Sequence, residues 1–304
     1  MRRAPNGIAR LAAQWSSLVE EAGATYVVEL KDQQSLAKTL AAKVRNKIRR
    51  ETARETYGLS GDFGTWEEAV ASSTGYDSDA ILSATKTALI AVRDGKAVYE
   101  RDSVLFFEPE YAWPLLAGLM WAAARSGGVL NVLDFGGSLG STYFQNRSLL
   151  TTLESVRWNV VEQSSHVAAG KSEFESEELR FYHTLDDCKT DTQPNVLLLS
   201  SVLQYLEHPY AVLDQVVRAE IPQVIIDRTP FWNGPTDRLC VQAVPPDIYE
   251  GSYPSWIFSE SGFDSRVNEN FKVVAKFENA DWMPSPVKTT YQGRLLVPSL
   301  HRSS

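Results

Sequence analysis

Val129-Leu-Asn-Val-Leu-Asp-Phe-Gly-Gly-Ser-Leu-Gly-Ser141 decides how this chain is read. An apolar run from Val129 to Phe135 ends on two glycines, and a segment of helical length begins near Ser141. Such a run reads as one buried strand. Glycine permits a tight turn and a close approach of backbone to a ligand. The helix that follows offers free N–H groups and the positive end of its dipole. Asp134 stands at the C-terminal end of the strand, where open α/β sheets bind their ligands. A plain strand-to-helix turn has the same look, so the surrounding sequence decides.

Outward from this stretch, short apolar runs alternate with helical segments. Val156–Glu162, Leu179–His183, Asn195–Ser200 and Gln223–Asp227 read as four more strands. The alternation predicts an α/β fold, a doubly wound and mostly parallel sheet with helices on both faces. Val196-Leu-Leu-Leu199 is apolar throughout, as a central strand covered on both sides should be. Phe271–Phe277 and Gly293–Pro298 suggest a terminal antiparallel pair.

Towards the N-terminus the pattern is helical. Leu36, Leu40, Val44 and Ile48 form one stripe of a basic segment, Gln33–Arg54. A docked surface helix is favoured there over contact of residues 36–54 with an anionic membrane. Thr65-Trp-Glu-Glu68 has the spacing of a capping box. Helices are expected over Ser78–Asp94 and from about Pro109 to Arg125, the latter aromatic and apolar with Trp113, Leu116, Leu119 and Met120. The expected organisation is a helical extension over 1–100 and a ligand-binding domain over 101–304.

Composition narrows the function. The chain has 304 residues, 43% hydrophobic and 22% charged, with a net charge of −8. That balance is ordinary for a globular enzyme and argues against nucleic acid as a partner. Cys188 and Cys240 match no metal-ligand spacing and no disulfide framework. The start lacks the apolar segment of a signal peptide and no run is long enough to span a bilayer, so a cytoplasmic protein is expected.

The spacing within the loop argues against two common ligand classes. From Gly136, a dinucleotide fingerprint would need glycines where Ser138 and Ser141 stand. A phosphate loop would need a lysine, and there is none. Glu162 falls 22 positions after Gly140 at the end of the next strand, placed to accept hydrogen bonds from ribose hydroxyls. Asp186 and Asp187 follow the third strand, where an acid can receive an adenine amino group or cap a helix. Beyond Ser200, Tyr205 and His208 are candidates for substrate contact or proton transfer. Asp227 and Arg228 leave the fifth strand at the same edge, able to grip a polar substrate or simply to pair. The aromatic run Tyr249–Phe258 suits a sugar face, or else Trp256 and Phe258 belong to the core.

In this order, the segments over roughly 129–300 resemble a class I S-adenosylmethionine-dependent methyltransferase, a Rossmann-like fold. Tyr99-Glu-Arg-Asp102, Ser201-Val-Leu-Gln-Tyr-Leu206, Ile226-Asp-Arg-Thr-Pro230 and Tyr253-Pro-Ser-Trp-Ile-Phe258 are similar, more narrowly, to a bacterial methyltransferase family often encoded among surface-polysaccharide genes. Ser259-Glu-Ser-Gly-Phe263 resembles the helix-to-strand junction before that fold's last hairpin. The resemblance implies S-adenosyl-L-methionine as cofactor, held by Asp134, Gly136, Gly137, Ser138, Gly140, Glu162, Asp187 and Ser200. It implies a small-molecule or glycan acceptor, lined by Tyr205, His208, Asp227 and Arg228, with Arg101 and Trp256 nearby. Ser138 stands where many such enzymes have glycine, so it must take up the turn that glycine usually makes. Two rivals remain: a non-catalytic, cofactor-binding scaffold of glycan assembly, and a nicotinamide-dependent sugar-modifying enzyme, which the glycine spacing disfavours.

Overall fold

A computed structural model of the chain describes residues 57–75, 78–245 and 248–299. These belong to one compact unit, Thr56–Ser304. The basic helix expected over 33–54 lies outside the described residues.

The chain opens with β1 (Gly58–Phe63), α1 (Trp66–Ala71), α2 (Ser78–Arg93) and a short hairpin of β2 (Tyr99–Arg101) and β3 (Val104–Phe106). Helix α3 (Trp113–Arg125) leads into the alternating core: β4 (Val129–Phe135), α4 (Ser141–Leu150), β5 (Ser155–Val161), α5 (Ser164–Glu173), β6 (Leu179–Tyr182), α6 (Leu185–Thr192), β7 (Val196–Ser200), α7 (Pro209–Ala219) and β8 (Val224–Trp232). A 3-10 turn, Leu203–Tyr205, precedes α7. Then come β9 (Arg238–Ala243), β10 (Ser252–Ser259), α8 (Glu260–Asn268), β11 (Phe271–Glu278) and β12 (Thr290–Pro298).

The five expected strands are present and parallel, in the order β6-β5-β4-β7-β8. Counted along the chain this is 3-2-1-4-5, which reverses direction between β4 and β7 and opens a crevice at their C-terminal ends. The fold is the doubly wound α/β sheet expected from sequence. The terminal pair β11–β12 is antiparallel as expected, and β12 lies against β8. Residues of β7 alternate between two cores: Val196 and Leu198 pack on one face, Leu197 and Leu199 on the other. That is why the strand is apolar throughout.

Several elements depart from the expectation. Gly58–Phe63, inside the segment expected to be helical, is a strand paired with β9. Strand β8 runs five residues past Asp227, and its last two residues pair with β10. Strands β1, β9 and β10 thus form an antiparallel wing on the C-terminal end of β8. The aromatic run 249–258 largely builds that wing: Phe258 is core, and Trp256 is half-buried on Trp66, with ring centroids 6.3 Å apart. Trp113 is exposed at the start of α3 rather than on its buried face. Ser259-Glu-Ser-Gly-Phe263 begins helix α8, with the Ser259 hydroxyl accepting from the Gly262 N–H, so it is a strand-to-helix junction. Among the described residues, no helix is long and apolar enough to cross a membrane.

Candidate functional site

The loop after β4 is moulded on one carboxyl group. Asp134 is 1% exposed and accepts the indole N–H of Trp158 at 2.8 Å. Gly137 lies so close above it that a Cβ there would run into the carboxyl. Burial, reinforced by the Glu162 and Asp227 charges, pushes the Asp134 carboxyl up to about 7; the indole bond opposes the shift. Gly136 turns at φ +72° and donates to the Val161 carbonyl at 2.9 Å, with Val202 filling the space a side chain would need. Ser138 takes φ +54°, the turn that glycine usually makes, and Gly140 at φ +93° caps α4 without a side-chain acceptor. The first N–H groups of α4 are therefore open to an anion or a polar ligand.

Glu162 follows directly on Val161, the residue bonded to Gly136, so it flanks the loop. It is half-buried, and its Oε2 accepts the Gln163 N–H at 2.7 Å.

The β2–β3 hairpin reaches the same edge. Asp102 and Ser103 at its tip both have positive φ, +53° and +67°, the pattern of a type I′ turn. Glu100 is 2% exposed. It accepts the Ser141 hydroxyl at the start of α4, and the Ser103 N–H at 3.0 Å. Burial pushes its carboxyl up to about 7, against the Ser141 bond. Sequence reasoning singled out neither Glu100 nor Asp102 as a site residue; a pair of turn formers between two short apolar runs was the available signal.

On the other side of the crevice, Asp227 is fully buried. Its oxygens accept from Ser200 Oγ at 2.9 Å and from Asn279 Nδ2 at 2.8 Å. Burial raises its carboxyl above the usual range, opposed by the Asn279 bond. Arg228 follows at φ +50°, where β8 leaves β7. Its Nε donates to Asp281 at 2.9 Å and its Nη2 to Asp102 at 2.6 Å. Next to it, Gln204 is 1% exposed and donates from Nε2 to Ser201 Oγ at 3.1 Å and to the Arg228 carbonyl at 3.3 Å. Tyr205 donates to Gln242 Oε1 of the wing at 3.0 Å, and Gln242 Nε2 donates to the Tyr253 hydroxyl at 3.4 Å.

The structure thus gathers Asp134, Gly136, Gly137, Ser138, Gly140 and Glu162 on one side of the crevice, and Ser200, Tyr205, Asp227 and Arg228 on the other. It does not bring His208 into this group. His208 heads α7 with 77% of its side chain exposed, 3.5 Å from Glu207, on a small depression of about 220 Å³ shared with Trp256 and Asp237. Asp187 is exposed and belongs to a helix cap: Thr184, the N-cap of α6, accepts the Asp187 N–H with its Oγ1 at 3.1 Å and donates to the Asp187 carboxylate at 2.7 Å. Arg101 lies over Phe106 and 3.8 Å from Glu110, while the Trp256 indole donates to the Leu206 carbonyl. Asp227 is a buried scaffold for Ser200 and Asn279 rather than a group facing a substrate. Among the described residues no cluster of His, Cys, Asp and Glu could hold a metal ion.

No family model matches the chain, and no curated protein matches it. Among the solved structures similar to it are the following three. One is the N-terminal domain of EvdMO1, crystallised in the presence of SAH and D-fucose: 13% identity, 74% of this chain and 98% of that one, TM-score 0.43. Another is an S-adenosylmethionine-dependent methyltransferase from Clostridium acetobutylicum: 11% identity, 70% and 97%, TM-score 0.42. The third is magnesium protoporphyrin IX methyltransferase from Synechocystis with bound SAH: 12% identity, 62% and 83%, TM-score 0.41.

Proposed function

We propose that this chain is an S-adenosylmethionine-dependent methyltransferase acting on a hydroxyl of a small molecule or glycan. Surface-polysaccharide assembly is the setting its sequence resemblance suggests. The observation that carries the reading is the crevice between β4 and β7. One wall is a glycine loop running into a helix start with no side-chain cap, flanked by Glu162; the other is a polar cleft.

These residues fit the cofactor. Glu162 has an oxygen beyond the one engaged by Gln163, and a carboxylate at this strand end suits a ribose diol. The open N–H groups of α4 suit the carboxylate of the methionyl end. When bound, S-adenosylmethionine supplies a methyl group on a sulfonium, already activated for in-line displacement. The chain's own task is then alignment and exclusion of water. Asp134 shapes the loop from beneath. Ser200 and Asn279, held by Asp227, fix the backbone that carries Arg228. Tyr205 and its partners orient the acceptor.

Calorimetry with S-adenosylhomocysteine and with NAD tests the reading: the first is expected to bind and the second not. Glu162→Ala is expected to weaken S-adenosylhomocysteine at least tenfold, and unchanged affinity would remove the ribose assignment.

A second reading, a cofactor-binding scaffold without turnover, is supported by the state of the expected acid–base groups. Asp227 is sealed from solvent, Arg228 is paired twice, and His208 stands apart. A base is needed only when the acceptor hydroxyl is weakly acidic. Transfer of radiolabelled methyl to any member of a glycan and small-molecule pool separates the two readings.

A further inference from the structure

We infer that the cleft around Arg228 is built to refuse anions and to receive an uncharged, hydroxyl-bearing part of the acceptor. The inference rests on the methyltransferase reading above and adds a substrate class to it.

An arginine at the mouth of a ligand cleft ordinarily marks a carboxylate or phosphate site, because its planar fork binds those groups with two parallel bonds. Here two of its three nitrogens are already engaged, on the side that Nε and Nη2 share. Asp281 occupies Nε and Asp102 occupies Nη2, so one positive charge faces two negative ones. Asp102 arrives from 126 residues away on a strained hairpin tip and Asp281 from 53 residues away on the loop between β11 and β12. Arg228 itself is held at φ +50° within β8. Strain of this kind persists only where the surroundings impose it. An incoming phosphate would meet two carboxylates and would have to displace one of them to pair with Nε or Nη2 of Arg228.

The side chains beside Arg228 are neutral and polar. Gln204 Oε1 is buried and accepts no hydrogen bond, although the other end of the same carboxamide is doubly engaged. A buried orphan acceptor is costly and calls for a donor. Beside it the chain Tyr205–Gln242–Tyr253–Tyr249 links hydroxyl and amide groups, each able to donate or accept with small rotations. A hydroxyl satisfies the orphan oxygen; an unprotonated carboxylate or phosphate oxygen does not.

The test uses the full chain saturated with S-adenosylhomocysteine and inorganic phosphate as the probe, read by calorimetry. Wild type is expected to give no phosphate binding up to tens of millimolar. Asp102→Asn with Asp281→Asn is expected to bind it at least tenfold more tightly, and adding Arg228→Gln is expected to abolish that gain. Phosphate binding by wild type that is lost in Arg228→Gln would overturn the inference, as would a folded double variant that gains nothing. Should the double variant not fold, Asp102→Asn alone, altered at an exposed hairpin tip, carries the same reading with the same two outcomes. S-adenosylhomocysteine affinity, measured on the same samples before phosphate is added, reports separately on the methyltransferase reading.

Discussion

The indole of Trp158 on β5 donates to the carboxyl of Asp134 on β4 at 2.8 Å, with both residues almost fully buried. This bond spans the two strands that bracket the glycine loop and gives Asp134 a side-chain donor within the core. Trp158→Phe is expected to leave a buried acceptor unsatisfied, at a cost of about 1–3 kcal/mol, before any loss of packing is counted. Urea unfolding measures it. S-adenosylhomocysteine affinity should fall with it, because the loop rests on Asp134.

Gly137→Ala places a methyl group where the Asp134 carboxyl lies. The neighbour cannot yield without breaking its bond to Trp158, so a loss of about 1–3 kcal/mol from overpacking is expected, along with ligand binding. Gly64→Ala is the control. Its new Cβ would meet only the end of the flexible Glu68 side chain at 3.3 Å, and a change within about 0.5 kcal/mol is expected. Equal melting temperatures for the two variants would contradict the packing argument.

Asp134 and Glu100 both carry carboxyls pushed up to about 7, chiefly by burial. In the unfolded chain they titrate near about 4. Between these values the folded state binds more protons than the unfolded state, so unfolding free energy falls as pH rises. The contribution is complete below about pH 4 and gone above the folded value near 7. Denaturant unfolding at pH 5, 6, 7 and 8 should show this decline. Asp134→Asn with Glu100→Gln should flatten it; an unchanged slope in the double variant would mean that other groups set the pH dependence.

Asn279 holds two parts of the acceptor side at once, donating to Asp227 and accepting the Arg228 N–H at 3.2 Å. Asn279→Ala is expected to cost about 1–3 kcal/mol through the buried groups it leaves unpaired. Asn279→Asp is expected to be worse, since it sets a second carboxyl against buried Asp227. Thermal melting ranks the two, and the opposite order would show that Asn279 does not donate to Asp227.

The parallel sheet was legible because β4, β7 and the first half of β8 are apolar runs that stand out from their turns, and β5 and β6 recur at the same spacing between helical segments. The wing was not. Strand β10 contains Pro254, which by itself argues against a strand, and β1 contains Gly58 and Gly61. Their pairing comes from tertiary contact rather than from a pattern along the chain. The site divides in the same way. Asp134, Gly136 to Gly140 and Glu162 are visible because a local strand-loop-helix unit defines them. The partners of Arg228 lie 53 and 126 residues away, and no spacing rule connects them. His208 was misleading because a residue before proline can cap a helix at the surface as readily as it can face a substrate.

Left-handed backbone at residues other than glycine is confined, among the described residues, to two kinds of place. Gln193 and Glu220 close helices. Asp102, Ser103, Ser138, Ser201 and Arg228 all lie along the crevice edge. For protein engineering this is a warning about where to look for heat resistance. Replacing Ser138 or Ser201 with glycine would relax the backbone, and a screen for higher melting temperature would be drawn to such positions. The same change would let the crevice walls drift, so thermostable variants selected without an activity readout should be enriched in inactive ones. The safer ground for such work is the far end of the sheet, around the turn at Gly127 that leads into β4.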